Sequence, residues 1–213
     1  MAHPGRAEHR SGADALQRPL RSRFRARLTA GVRCFPQYWE QAMVRHQQVQ
    51  STVRQRLLED ALQFVRTASR LPGVLRIALL GSLATAKPEP KDVDVLLTVT
   101  DEADLAPIAS AARRLKGHAQ SYNHGADVFV ADPQGHYVGR LCPWKLCAPG
   151  VRSSCDALHC GRRPFLHDDL ATIQLAADLM LQPPLDLFPA VIRRVPLPAD
   201  VETILVRGVQ QVG

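Results

Sequence analysis

Residues 81–95 read GSLATAKPEPKDVDV, and the fold turns on why a run that alternates like a half-buried strand carries two aspartates, Asp92 and Asp94. A buried carboxylate without a partner costs several kcal/mol, so something must compensate for the pair. Side chains two apart on a strand point the same way, which puts Asp92 and Asp94 on one face and Val93 and Val95 on the other. Two carboxylates that close repel each other, and a cation between them removes the repulsion. Oxygen ligands on a rigid strand suit Mg²⁺ (or Mn²⁺), which takes one or two carboxylates together with substrate phosphates. The phosphate cradle lies just upstream. Gly81 ends an apolar run without a Cβ and allows close backbone approach. Ser82 adds a hydroxyl and opens the helical-looking SLATA, whose first amides favour an anion. Each motif alone has a plain reading, a solvent-facing edge strand or an ordinary turn. Together they describe a site for a nucleoside triphosphate.

The flanking sequence supplies the frame. Val53, Leu57, Ala61, Phe64, Val65 and Ala68 recur at helical steps, so a helix of about five turns ends near the LPG at 71–73, and the MVRHQQVQ segment beginning at Met43 runs straight into it. VLRIALL, residues 74–80, is a short apolar run between Pro-Gly and Gly81 and reads as a strand. DVDVLLTV, 92–99, is a second strand, buried at its far end. Asp101 and Asp104 flank a helix start, Leu105, Ile108, Ala112 and Leu115 form its inward stripe, and Arg113, Arg114 and Lys116 are expected in its last turn, where the helix dipole favours cations. ADVFVA, 126–131, is a third strand. The expected fold class is α/β (α+β), a small mixed sheet with flanking helices over residues 43–140.

These residues resemble the DNA polymerase beta-like nucleotidyltransferase superfamily, whose pattern is an apolar strand, Gly-Ser, a spacer, acid-apolar-acid-apolar, and a third carboxylate on a neighbouring strand. Here that reads LLGS, nine residues, DVDV and then ADVFV, covering about 74–131. The resemblance implies a nucleotidyltransferase-like fold and transfer of a nucleoside monophosphate to an acceptor hydroxyl with loss of pyrophosphate. It also implies that Asp92 and Asp94 hold Mg²⁺ on the triphosphate, that Gly81 and Ser82 bind its phosphates, and that Asp127 is the third metal-binding and catalytic carboxylate. Many small members carry Arg-Gly after the GSxA motif where this chain has Thr85 and Ala86. Lys87 or Lys91 would then supply the missing phosphate contact. Nothing in 140–213 identifies an acceptor, which is a small molecule, an RNA end or a protein.

A second chemical feature follows in CPWKLCAPGVRSSCDALHC, where Cys142, Cys147, Cys155 and Cys160 form two C-x4-C pairs. Two close thiolate pairs suit a structural tetrahedral Zn²⁺, with His136, His159 and His167 as alternative ligands. Disulfides and buried unligated thiols are the competing readings. Without a secretory signal a reducing, cytoplasmic compartment is expected, which disfavours disulfides. Arg162 and Arg163 would either reach triphosphate or acceptor, or sit in a solvated patch. Asp168 and Asp169 are expected to begin a helix carrying Leu170, Ile173, Ala177 and Met180 inward, stopped by LQPPLDLFP, and the remaining tail to dock on the core.

Charge is unevenly spread over the 213 residues. The formal net charge is +7, but residues 1–33, with eight arginines against Glu8 and Asp14, hold +6 of it and leave +1 for the rest. Residues 1–42 lack apolar periodicity at their arginine-rich start and read as a disordered basic extension, with Cys34 a free thiol. No stretch is long enough for a membrane span. Three function classes follow: a nucleotidyltransferase, a catalytically silent antitoxin-like member of the same fold that binds nucleotide or a partner, and a zinc-stapled nucleic-acid binder using the arginine tail. The full carboxylate set favours the first, and the near-neutral body disfavours the third.

Overall fold

The protein is described here by a computed structural model, which covers residues 36–147, 163–167 and 169–211. Helix α1 spans Pro36–Ala68, starting ahead of Met43. Strand β1, Val74–Leu79, leads through Gly81 into a single 3₁₀ turn, Ser82–Ala84. Strand β2 is Asp92–Val99, helix α2 Leu105–Ser121, and β3 Gly125–Ala131. These match the elements read from the sequence, with three differences. Helix α1 is 33 residues long, well beyond the five turns expected. SLATA forms one tight 3₁₀ turn, too short to build the helix dipole expected of it. Helix α2 runs on to Ser121 with His118 as the basic residue of its last turn, so Arg113, Arg114 and Lys116 lie further back along the helix. Its start is as expected: the Asp104 side chain accepts a 2.9 Å bond from the Ala106 amide.

The second half of the chain adds strands where the sequence suggested helix and tail. Strand β4, Tyr137–Leu141, turns back from β3 through Asp132, whose carboxylate accepts from the His136 amide at 2.8 Å, the turn role expected of an aspartate before proline. Strand β5 is Leu166–His167. Of the helix expected to begin at Asp168 and Asp169, the structure forms α3, Ala177–Leu181; Asp168 lies outside the described residues, and Asp169 is instead buried against two partners described below. LDLF is strand β6, Leu185–Phe188, followed by β7, Ile192–Arg193. The chain closes with a π-helical turn, Val201–Val206, that runs into α4, Arg207–Gln210.

All seven strands join one sheet in the order β5-β4-β3-β2-β1-β6-β7. Only β2 and β3 are parallel; the other neighbours are antiparallel. The parallel pair is joined by α2, the crossover such a pair requires.

Alternation divides the sheet into two unlike faces. Val93, Val95, Leu97 and Val99 of β2 join Leu57, Leu58, Ala61, Phe64 and Val65 of α1 and Ile108, Ala109 and Leu115 of α2 in the main core. The opposite face carries a small cluster of Ala78, Leu80, Leu96, Ala131 and Met180, with Phe129 and Tyr137 against it. Asp92, Asp94 and Asp127 belong to this thinner face. Burial on one side and partial access on the other is what lets a strand of the central sheet carry carboxylates.

Among the described residues, no helix is long and apolar enough to cross a membrane.

Candidate functional site

The parallel register sets Asp94 directly opposite Asp127 and Asp92 opposite Gly125. Partners in a parallel ladder share a face, so three carboxylates lie on one side of β2 and β3 at the end where both strands begin. Asp92 is anchored: its Oδ1 accepts a 3.0 Å bond from the Gly125 amide. A Cβ on Gly125 would lie 2.2 Å from the same oxygen, so the close approach needs glycine there.

Gly81 performs the matching role for Asp94. Its backbone, at φ 66° and ψ −160°, occupies a region essentially reserved for glycine, and a Cβ there would fall 2.1 Å from Asp94 Oδ2. The Gly-Ser turn is therefore pressed against the second aspartate. Beyond it, Thr85 closes the 3₁₀ turn by donating to the Ser82 carbonyl through its amide at 3.1 Å and its hydroxyl at 2.8 Å. Lys87 and Lys91 are exposed. The structure uses their carbonyls: Lys87 O accepts from Arg54 at 3.0 Å and Lys91 O from the Gly125 amide at 3.3 Å.

Crowding shows in the protonation of Asp94. Burial, then the neighbouring charges of Asp92 and Asp127, push its carboxyl up from the usual range to about 6. Leu96 and Leu80, fully or nearly fully buried on the same face, supply the apolar surroundings. This is the electrostatic signature of acids set close enough to disfavour one another's charge.

Asp127 has partners that local sequence does not announce. Lys116 Nζ lies 3.5 Å from its Oδ1 and an Arg140 guanidinium nitrogen 3.3 Å from its Oδ2. Arg140 is itself held by Asp169 through its Nε, and Tyr137 donates to the other Asp169 oxygen at 2.6 Å. Burial and the bond to Asp169 raise the Tyr137 phenol above its ordinary value. Asp169 is thus a buried anchor shared by two strand-β4 side chains rather than a helix cap. The signal for Arg140 in the sequence was a lone charge among the residues of YVGRL, which the third-strand reading stopped short of.

A cavity of about 200 Å³ opens beside Asp127 on the β4 side, lined by Lys116, Arg140, His167, Cys142 and Trp144 among others. Asp92, Asp94 and Gly81 do not line it, so Asp127 stands between the paired aspartates and this opening.

The cysteine segment is placed only in part. Cys142 is buried just past β4, and its amide donates to the Phe165 carbonyl at 2.7 Å. Cys147 Sγ accepts from the Phe165 amide at 3.1 Å. Both cysteines thus contact Phe165, Cys142 through its backbone and Cys147 through its thiol, but Cys155, Cys160 and His159 lie outside the described residues, as do Arg162 and Cys34. His136 instead pairs with Asp132 at 3.0 Å. Arg163 donates to the carbonyls of Thr100 and Ala103, bracing the loop after β2. Among the described residues no three Asp, Glu, His or Cys side chains are gathered closely enough to form a ready-made metal cage.

The molecule is therefore a mixed α/β protein with an open seven-stranded sheet and an acidic patch at the head of its one parallel strand pair. Residues 33–145 match the model of a family of unknown function, DUF6932. That span is more than half of the chain, and the protein belongs to this family. It contains β1 to β4, the Gly-Ser turn, all three aspartates, Lys116 and Arg140. No curated protein and no solved structure matches the chain.

Proposed function

We propose that the protein is a metal-dependent nucleotidyltransferase that moves a nucleoside monophosphate from a nucleoside triphosphate to an acceptor hydroxyl. The observation that carries the reading is the register of Asp94 against Asp127 with Gly81 packed on Asp94, the arrangement that the resemblance to the DNA polymerase beta-like superfamily calls for. The donor set fits Mg²⁺ or Mn²⁺: three hard oxygen donors on one face, one of them resisting ionisation because it is largely buried and its neighbours are also acidic. Such an ion commonly completes its shell with substrate phosphates and water, so a closed protein cage is not required.

Asp92 and Asp94 would hold the divalent cation, with Asp127 as third ligand. The ion supplies neutralisation of the triphosphate and polarisation of the α-phosphoryl group. Gly81 leaves room for the β and γ phosphates to approach the backbone, and Ser82 offers its amide and hydroxyl. Lys87 and Lys91, both exposed at the ends of the intervening loop, can swing toward that charge. Asp127 would accept the proton of the acceptor hydroxyl; the acceptor oxygen then forms a bond to the α-phosphorus as the bond from that phosphorus to the bridging oxygen breaks, and pyrophosphate leaves.

One observation favours a second reading. Lys116 and Arg140 both contact Asp127, and a carboxylate so engaged is less available as base or ligand. In a silent member of the fold, nucleotide would bind without transfer. Incubating the protein with each of four α-labelled triphosphates and Mg²⁺ or Mn²⁺, alongside Asp94→Asn, separates the two. Transfer of label or pyrophosphate release by the wild type and not by the variant supports the enzyme. Nucleotide binding with no turnover for any of the four supports the silent reading.

A further inference from the structure

We infer that the face of α2 next to Trp144 is the acceptor-binding groove and that its ligand is the 3′ end of a single-stranded nucleic acid. The inference rests on the nucleotidyltransferase reading and names the acceptor class for it. A groove of about 810 Å³ runs between α2 and the segment after β4, lined by Arg113, Lys116, Gln120, Pro143, Trp144 and Lys145. It shares Lys116, Pro143 and Trp144 with the smaller cavity that reaches Asp127. Sharing that wall, the two spaces lie side by side, the inner one against the third carboxylate. At about 200 Å³ the inner space is below the roughly 300–1,000 Å³ of a complete ligand pocket. It admits the end of a ligand, and the outer groove holds the remainder.

The lining specifies what that remainder is. Arg113, Lys116 and Lys145 contribute three cations, and among the described residues that line the groove none is acidic. The floor is mostly apolar, and Trp144 is 45% exposed. An exposed indole beside cations suits a planar base stacked on the ring with its phosphates on the lysines and arginine, the pairing that single-stranded nucleic-acid sites use. The platform is fixed: Arg113 donates to the Trp144 carbonyl at 2.8 Å and its guanidinium lies 5.8 Å from the Phe165 ring centre. Among the described residues nothing lies within 4 Å of where a Cβ of Gly117 would stand, which leaves the helix surface beside Lys116 uncovered by them. A terminal ribose carried in by such a strand would bring its hydroxyl to Asp127 from the side away from the Gly-Ser turn.

Fluorescence anisotropy of the full chain with short labelled oligoribonucleotides and oligodeoxyribonucleotides of one sequence tests this, with Mg²⁺–nucleotide binding measured on the same samples. Trp144→Ala is expected to weaken oligonucleotide binding about tenfold or more. Lys145→Ala, on an exposed side chain, should lower the slope of log affinity against log salt by about one. Preference for the ribo- over the deoxyribo- strand would identify RNA, and equal binding DNA or RNA alike; either agrees with the inference. Oligonucleotide binding that is absent, or that neither substitution changes, overturns it. In the second case the arginine-rich residues 1–33 carry the binding. Nucleotide binding that persists in those outcomes leaves the catalytic reading standing; its loss together with the oligonucleotide signal removes both.

Discussion

At Gly81 the chain passes so close to Asp94 that an alanine methyl would sit 2.1 Å from the carboxylate oxygen, on a backbone at φ 66°. Gly81→Ala is therefore expected to cost about 1–3 kcal/mol and to displace the Asp94 side chain; urea unfolding and loss of Mg²⁺–nucleotide binding measure the two effects. Asp94→Asn should act in the opposite direction on stability. The folded carboxyl is raised to about 6, above its unfolded value, so the native state holds a proton that the unfolded chain releases between pH 4 and 6. Stability falls as pH rises through that window, and at pH 7 the ionised Asp94 is a net cost. Asparagine removes the cost, a gain of order 1 kcal/mol at pH 7 after solvent screening, which vanishes below about pH 4. Denaturation curves of both proteins at pH 4 and pH 7 decide it, and equal differences at the two values would contradict the crowded-acid account. The pair Asp92 and Asp94 was legible because a strand's period of two is local. The partners of Asp127 were not, since Lys116 reaches it from a helix and Arg140 from a strand hidden in a run containing Gly139.

Two arginines tie the elements around this site. Arg54 of α1, 7% exposed, donates to Leu83 O and Lys87 O on the Gly-Ser loop and to Asp200 at 2.6 Å, which begins the C-terminal helical turn. Arg54→Met should loosen that loop and leave Asp200 with only the Val201 amide as partner. The expected signature is a fall in stability of about 1–2 kcal/mol from the lost hydrogen bonds with weaker nucleotide binding, read by thermal unfolding with and without Mg²⁺–nucleotide. Arg140→Met breaks the pair with Asp169, whose side chain is 2% exposed, and is expected to cost about 3–5 kcal/mol; a loss under 1 kcal/mol would show that Asp169 is not the anchor of β4. The existence and order of the elements from α1 to β3 followed from periodicity, and the start of α2 from its Asp104 cap, whereas the start of α1 and the end of α2 did not. Strand β6 did not, because PPLDLFP reads as a helix stop. Its buried Asp186 is rescued by Arg76 at 2.6 Å and Arg194 at 2.7 Å, both remote in sequence or outside the strand. Gly139 likewise obscured β4, yet a Cβ there would lie 2.4 Å from His167 O, so the β4–β5 approach depends on it.

Over the whole molecule, the sheet separates two tasks. One face buries α1 and α2 and supplies most of the core; the other keeps a thin apolar cluster and an acidic patch at the head of β2 and β3. Positive charge is unevenly spread, with the arginine-rich start of the chain followed by a nearly neutral body in which Arg113, Lys116, Arg140 and Lys145 line the spaces beside Asp127 and Trp144. The most direct test of the account is a crystal structure grown with Mg²⁺ and a non-hydrolysable nucleoside triphosphate. The account predicts a cation bound by Asp92 and Asp94 with the β and γ phosphates against Gly81 and Ser82. A nucleotide bound elsewhere, or a metal-free site with Asp127 still gripped by Lys116 and Arg140 at saturating ligand, would contradict it.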